Sequence, residues 1–156
     1  MKGHVRPAAT RDLDRVSALW TSITHHHQGI DPVFQMRPQA DDEIRALLLT
    51  LYRDPDAEIF VYDDQGDILG ICIVRIDHSP PIMRENDRAE ITDLGVRESA
   101  RRKGIGTRLL DEAIAWVEAS GVRRIEIHVA KGNAAGQAFW RSRGFGDLMD
   151  VLHKRL

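Results

Sequence analysis

The chain has 156 residues, of which 42% are hydrophobic and 29% charged, and its net charge is −2 at neutral pH. This composition is typical of a folded globular protein and excludes a disordered one, and the length suits a single domain, residues 1–156. The small net charge gives no sign of nucleic acid or an anionic membrane as a partner. No apolar run approaches the ~20 residues of a membrane span, and no signal peptide is visible, so a cytoplasmic location is expected. The single cysteine, Cys72, excludes an internal disulfide bond and is expected to be an inert buried thiol.

The first half of the chain predicts a strand, two amphipathic helices and a β-hairpin. Apolar residues recur at helical spacing from Leu13 to Ile23, after a capping Thr10. Two nearly unbroken apolar runs joined by a polar turn predict a hairpin in a sheet that is covered on both faces. The predicted elements are a strand at residues 4–8, helices at 10–23 and 41–53, and strands at 58–62 and 68–76.

Three consecutive histidines, His25, His26 and His27, follow the first helix. Consecutive helical residues point about 100° apart, so these three cannot converge on one metal ion as a pair spaced by four can. We predict a solvated helix end and no metal site, and a role for one histidine in acceptor recognition stays open.

The second half predicts two parallel strands separated by a helix. Ala89 to Val96 is the first strand, and an amphipathic helix from Ile105 ends at Gly121. A strand at residues 124–129 follows and is expected to be parallel to the first, because the connection passes through a helix. A last helix from Asn133 through Arg141, and a final strand from Leu148 to Arg155, complete the chain.

The turn between strand and helix is an anion-site candidate. It contains the sequence Arg101-Arg102-Lys103-Gly104-Ile105-Gly106. The first N–H groups of a helix lack internal partners, and the helix dipole is positive there. Glycines let a phosphate approach the backbone, and the three cations add attraction. The alternative is a solvated basic turn that caps an ordinary strand–helix unit.

Two motifs resemble those of the GNAT acyl-CoA N-acyltransferases. Arg101-x-x-Gly104-x-Gly106 is similar to the pyrophosphate-binding motif of this family. Asn133-x-x-Gly136-x-x-x-Trp140-x-x-x-Gly144-Phe145 is similar to the family's later motif, which has Tyr where this chain has Trp140. The resemblance implies an α/β (mixed α+β) fold, with a mostly antiparallel sheet of about six to seven strands, one splayed parallel pair and flanking helices.

The resemblance also implies acetyl-CoA as the acyl donor and a set of residues that contact it. The pantetheine arm is expected between the splayed strands, where Gly95 suits a bulge or a close backbone approach. Asn133 matches a cofactor-contacting Asn, and a helix N-cap is an equally open and compatible role. The implied contacts are Leu94, Gly95, Val96, Arg101, Arg102, Lys103, Gly104, Ile105, Gly106, Thr107, Asn133 and Trp140.

For the chemistry, the resemblance implies Glu90 as the group that removes a proton from the amine, and an exposed carboxylate without a role is the alternative. Regular alternation points Asp93 to the face opposite Glu90, unless a bulge intervenes. The indole of Trp140 is too weak an acid to protonate the leaving thiolate, so packing is its expected role.

We therefore expect an N-acetyltransferase that acts on a primary amine, by direct attack in a ternary complex. A small-molecule acceptor is favoured. Candidates to recruit a cationic acceptor are Asp31, Asp77, Glu85 and Asp87, and solvated loop charges without a role are the equal alternative. A protein N-terminus or lysine remains the alternative acceptor, and a non-catalytic acyl-CoA-binding module the alternative class. No feature decides the oligomeric state, and a homodimer is left open.

Overall fold

A five-stranded mixed sheet, with helices on both faces, forms the domain in the computed structural model, which describes residues 2–156 except the side chain of Gln28. The strands lie side by side in chain order, and only the last pair is parallel. They are β1 (His4–Pro7), β2 (Ala57–Asp64), β3 (Asp67–His78), β4 (Asp87–Val96) and β5 (Ile125–Ile127). The helices are α1 (Leu13–Gln28), α2 (Asp41–Arg53), α3 (Ile105–Ala119) and α4 (Ala134–Ser142), with short 3-10 turns at Thr10–Asp12, Pro32–Phe34 and Glu98–Ala100.

The sheet is buried on both faces at its centre, as the unbroken apolar runs predict. Ile71 and Ile73 of β3 pack under α1 and α2, while Cys72 and Val74 pack under α3 on the other face. All four are fully buried because the side chains of a strand alternate between two covered faces. Burial raises the pKa of the Cys72 thiol, which fits its expected inert role.

The predicted final strand, Leu148 to Arg155, is wrong. Residues 145–156 have no regular secondary structure, and Leu148, Val151 and Leu152 are exposed. The apolar residues here stand in adjacent pairs, so a strand would point them to both faces. In addition, β5 offers only three residues for pairing. The described chain therefore contains five strands instead of the predicted six to seven.

Several boundaries also differ from those predicted. β3 and β4 extend to His78 and back to Asp87, so the intervening loop is shorter than the polar residues suggest. Pairing of His78 with Asp87 closes the ladder at that end. β5 is shorter than predicted, and α1 continues through the three histidines. None of the described helices is both long enough and apolar enough to cross a membrane.

Candidate active site

A cleft opens where the parallel strands β4 and β5 separate. Residues 89–91 pair with Ile125–Ile127, and the pairing ends there. β4 continues to Val96 while it remains paired with β3 on its other side. The backbone groups of residues 92–96 that face β5 are therefore outside any ladder. This geometry confirms the predicted splayed parallel pair and places residues 94–96 along one wall of the cleft.

The N-terminus of α3 lies at one end of this cleft. The guanidinium Nε of Arg101 donates a hydrogen bond to the carbonyl of Val96 over 3.2 Å, which joins the turn to the end of β4. A Cβ placed on Gly106 would stand 3.9 Å from Val96 Cγ2 and 4.0 Å from Phe139 Cζ. Gly106 therefore sits between the end of β4 and α4, with space around it.

The turn presents an unusual concentration of free hydrogen-bond donors. Gly104 is the N-cap of α3 in the left-handed conformation (φ 77°), and Arg102 has a positive φ of 61°. Within residues 2–156, no carbonyl or side-chain oxygen accepts a hydrogen bond from the backbone N–H groups of residues 102–107. The helix dipole adds partial positive charge at the same place. These groups form a site that can bind an anion such as a phosphate.

The three cations of the turn are available to such an anion. Arg101, Arg102 and Lys103 are exposed, and in the described part of the chain no carboxylate lies within ion-pairing distance of any of them. By contrast, the neighbouring Arg97 forms an ion pair with Asp67 at 2.7 Å. The positive charge of the turn is thus not neutralised internally.

Asn133 is the N-cap of α4. Its Oδ1 accepts a hydrogen bond from the backbone N–H of Gly136 over 3.0 Å. A Cβ on Gly136 would stand 2.5 Å from Asn133 Nδ2, so a larger residue at position 136 would require the Asn133 side chain to shift. The structure thus realises the capping role, and a contact between Asn133 and a cofactor stays a prediction.

Trp140 packs in an aromatic row on α4. Its ring makes edge-to-face contacts with Phe139 and Phe145, with centroid separations of 5.1 Å in both pairs. It is half-buried against the hydrophobic cluster under α3. This arrangement agrees with the packing role predicted for the indole.

A β-bulge in β4 changes which carboxylates share a face. Ile73 pairs with Asp93 while the next residue, Val74, pairs with Ile91, so Thr92 is the extra residue of the bulge. Asp93 consequently lies on the same face as Glu90. The intervening bulge that the sequence left open is therefore present, whereas the bulge considered at Gly95 is absent, since residues 94–96 pair regularly with β3.

Asp93 is enclosed by α1. Its Oδ1 accepts a hydrogen bond from Trp20 Nε1, and its Oδ2 accepts one from Thr92 Oγ1, both over 2.8 Å. Burial raises the pKa of Asp93, partly offset by these hydrogen bonds and by His27. The pKa of His27 is itself lowered, first by burial and then by the adjacent His26. Of the three histidines, His27 is half-buried, whereas His25 and His26 are exposed.

Glu90 sits in a charged network on the same face, and 13% of its side chain is exposed. Its Oε2 accepts a hydrogen bond from Arg75 Nη2 over 2.9 Å. Its Oε1 lies 3.3 Å from Nδ1 of His128, the residue that follows β5. This brings Glu90, a sequence-predicted site residue, to the start of the cleft together with a histidine that sequence reasoning missed. The pairing of β4 with β5 is what would have identified His128. Glu126 pairs with Glu90, and His128 lies two residues further along on the same face.

The loop carboxylates suggested as acceptor recruiters are engaged elsewhere. Each has a partner within the described chain: Asp31 with the N–H of Val33, Asp77 with Arg75 and Arg88, Glu85 with Arg124, and Asp87 with His78. Among residues 2–156, no group of three or more His, Cys, Asp or Glu side chains is arranged to hold a metal ion. Glu90 and Asp93 are the carboxylates of β4 that lie on the face covered by α1.

Comparison with known proteins identifies the family. Residues 20–145 match the model of the acetyltransferase (GNAT) family. The chain is 33% identical over 82 residues to the N-terminal acetyltransferase complex ARD1 subunit homolog of Dictyostelium discoideum, which covers 52% of this chain and 38% of that protein. It is 31% identical over 93 residues to the mycothiol acetyltransferase of Beutenbergia cavernae, which covers 59% of this chain and 29% of that protein. The chain thus matches only about a third of the length of these two curated relatives.

Solved structures share the fold over the whole chain. A mutant of the BH1408 protein from Bacillus halodurans superposes with a TM-score of 0.87 at 22% identity, over 97% of this chain and 98% of that one. A predicted acetyltransferase from Clostridium acetobutylicum, solved with acetyl-CoA, gives 0.82 at 17% identity, over 98% and 96%. The aminoglycoside N-acetyltransferase AAC(6')-Iy, solved with CoA, gives 0.78 at 17% identity, over 100% and 97%. With its family model, its splayed strands and its glycine turn in agreement, this chain belongs to the acetyltransferase (GNAT) family.

Proposed function

We propose that this protein is an N-acetyltransferase that transfers the acetyl group of acetyl-CoA to a primary amine, by direct attack in a ternary complex. The observation that carries the proposal is the row of free backbone N–H groups at residues 102–107, beside the opened strands. This combination offers an anion site and an adjoining slot for an extended chain. Acetyl-CoA fits both parts, because its pyrophosphate is an anion and its pantetheine arm is an extended chain.

The residues of the turn and cleft divide the binding of acetyl-CoA between them. The backbone of residues 102–107 would hold the pyrophosphate, with charge support from Arg101, Arg102 and Lys103. The open edge of β4 at Leu94, Gly95 and Val96 would bind the pantetheine amides as a strand partner does. Two of the structurally similar acetyltransferases were solved with acetyl-CoA or CoA, which supports this donor.

The amine must lose a proton before it can attack the thioester. An alkylammonium with a pKa near ~10 is almost wholly protonated at neutral pH, so a nearby base is valuable. Glu90 takes part in removing that proton, because it lies beside the end of the strand pairing where the thioester would lie. Trp140 packs against Phe139 and Phe145, and its indole is too weak an acid to protonate the sulfur. The thiolate can leave unaided, since an ordinary thiol has a pKa near ~8.5.

A small-molecule amine is the acceptor we favour. An aminoglycoside is a small-molecule amine, and the similar aminoglycoside N-acetyltransferase is named for that acceptor, which supports this class. A protein N-terminus is the second candidate, because two curated relatives are N-terminal or N-alpha-acetyltransferases by name. A cytoplasmic location is a further proposal, which rests on the sequence, and the oligomeric state stays open.

Release of free thiol from acetyl-CoA, measured against a panel of polyamines, aminoglycosides and peptides, tests the function. We expect turnover with at least one small amine. Turnover with peptides alone would show that the acceptor is a peptide or protein amine and not a small molecule. Tight binding of acetyl-CoA without thiol release from any acceptor would favour a non-catalytic binding module.

A further inference from the structure

We infer that His128 is the group that accepts the amine's proton and that Glu90 is a positioning residue that orients it. The inference rests on the proposed function and deepens it, because it concerns the same cleft. Its basis is the place of the His128 ring between the Glu90 carboxylate and solvent.

The carboxylate of Glu90 is poorly placed to meet the acceptor itself. One oxygen accepts a hydrogen bond from Arg75, the other faces the imidazole of His128, and only 13% of the side chain is exposed. An amine that approached Glu90 would have to displace one of these partners. His128 is 71% exposed, so its ring is open to a molecule in the cleft.

Nδ1 of His128 faces Oε1 of Glu90, and this contact determines how the two side chains would work together. Nδ1 of His128 lies 3.3 Å from Glu90 Oε1, a distance that a small rotation of the exposed ring converts into a hydrogen bond. When Nδ1 carries the hydrogen, Nε2 of the neutral ring is an acceptor. A carboxylate that holds Nδ1–H also stabilises the imidazolium formed after proton transfer.

The other charged groups around the pair already have partners of their own. Glu126, two residues before His128, is held by Arg124 and lies 3.1 Å from Arg88 Nε. Asp93 is enclosed by Trp20 and Thr92. The charged and titratable groups facing the pair are thus Arg75 and Asp77 from β3, Arg88 and Asp93 from β4, Arg124 and Glu126 from the β5 segment, and His27 from α1 near Asp93.

The reaction balances with His128 in this role. Nε2 takes one proton from the ammonium, and the freed lone pair of the nitrogen forms a bond to the thioester carbonyl carbon. The carbon–sulfur bond then breaks, and its electron pair leaves with the sulfur. The second proton lost by the nitrogen passes to the thiolate, directly or through water, and the imidazolium returns its proton to solvent. The products are an amide, free coenzyme A and one proton.

Imidazole rescue provides the test. His128→Ala should lower kcat by about 10²–10⁴-fold with an amine substrate, while the affinity for coenzyme A stays within twofold. Free imidazole should restore a substantial part of the lost rate, because the exposed site admits it. His153→Ala, which removes another exposed histidine, is the matched control and should change nothing. Full turnover by His128→Ala, or a loss that imidazole does not restore, would overturn the inference.

The role of Glu90 has its own readouts. Glu90→Gln should lower kcat to a similar extent, and the double variant should be no slower than His128→Ala, because the two act as a unit. The ¹⁵N spectrum should show the wild-type ring with hydrogen on Nδ1, and Glu90→Ala should shift it toward hydrogen on Nε2. The pairing would be contradicted if the two variants lowered kcat additively. It would also be contradicted if the His128 tautomer were the same with Glu or Ala at position 90. A wild type that releases no thiol with any acceptor would instead refute the proposed function.

Discussion

Gly95 of β4 lies directly beneath Ile23 of α1. A Cβ built on Gly95 would stand 2.0 Å from Ile23 Cδ1 and 2.4 Å from its Cγ1. Real side chains do not approach so closely, so the missing side chain of Gly95 lets α1 settle on the sheet. This contact sets the height of α1 above the face that carries Glu90 and Asp93.

Gly95→Ala is therefore expected to destabilise the protein by about 1–3 kcal/mol, the range of overpacked cores. Denaturant unfolding measures the change. Gly106→Ala is the control, since its Cβ meets no atom closer than 3.9 Å and it lies in the first turn of α3. It should be neutral or stabilising by a few tenths of a kcal/mol. Equal stabilities for the two variants would show that α1 shifts freely and does not depend on Gly95.

A second prediction concerns the pH dependence of Asp93. Burial raises its folded-state pKa above the ordinary 3.8, so the folded protein binds this proton more tightly than the unfolded chain does. The stability that protonated Asp93 contributes is fully present at pH values below its pKa in the unfolded chain. It is lost as the pH rises through the higher pKa of the folded protein. Asp93→Asn removes this loss, while the amide can still accept the hydrogen bond from Trp20.

At pH 7 the Asp93→Asn protein is expected to match or exceed the wild type, by on the order of 1 kcal/mol. The advantage should shrink toward pH 4, and urea unfolding at the two values measures it. Asp42→Asn, on the exposed first turn of α2, should show no such trend. A difference between Asp93→Asn and wild type that is the same at both pH values would contradict the raised pKa.

Trp140 gives a third prediction, which separates packing from chemistry. Trp140→Phe should keep most of the turnover, since the edge-to-face row with Phe139 and Phe145 can re-form around a smaller ring. Trp140→Ala should cost roughly 2–3 kcal/mol, below the usual range for a fully buried tryptophan because the ring is half-buried. Thermal unfolding and thiol release measure the two effects. A Trp140→Phe protein that binds coenzyme A normally but turns over a hundredfold more slowly would assign the indole N–H a part in the chemistry.

Local patterns were sufficient to predict most of the fold and the glycine turn at the start of α3. The apolar stripe of α3 and the glycines before it depend on neighbouring residues, so they are visible in the sequence. The bulge at Thr92 is not visible in the sequence, because it is defined by which residues of β3 and β4 pair with each other. The failed strand at residues 148–155 shows the same limit, since a short apolar stretch forms a strand only where an edge is available to pair with it.

The placement of Glu90 and Asp93 on one face of the sheet depends on the same non-local register. Glu90 was predicted because a family motif marks its position. Its contact with His128 arises from the pairing of β4 with β5, which no spacing along the chain reveals. The partner of Asp93, Trp20, is 73 residues away in sequence. Residues that act together across strands are therefore the part that sequence reasoning misses.

Calorimetric titration of coenzyme A tests the central claim most directly, with Gly104→Val and Gly121→Val compared. These glycines have φ values of 77° and 79° at opposite ends of α3, and a Cβ on either would have no atom within 4 Å, so the backbone strain introduced by valine should be similar. Wild type and Gly121→Val should bind coenzyme A, with a stabilisation of about 2.7 kcal/mol at a hundredfold excess over Kd. Gly104→Val should lose binding, because its branched side chain stands where a phosphate must approach the backbone. Absence of binding by the wild type, or undiminished binding by Gly104→Val, would contradict the claim that the glycine turn holds the acyl donor.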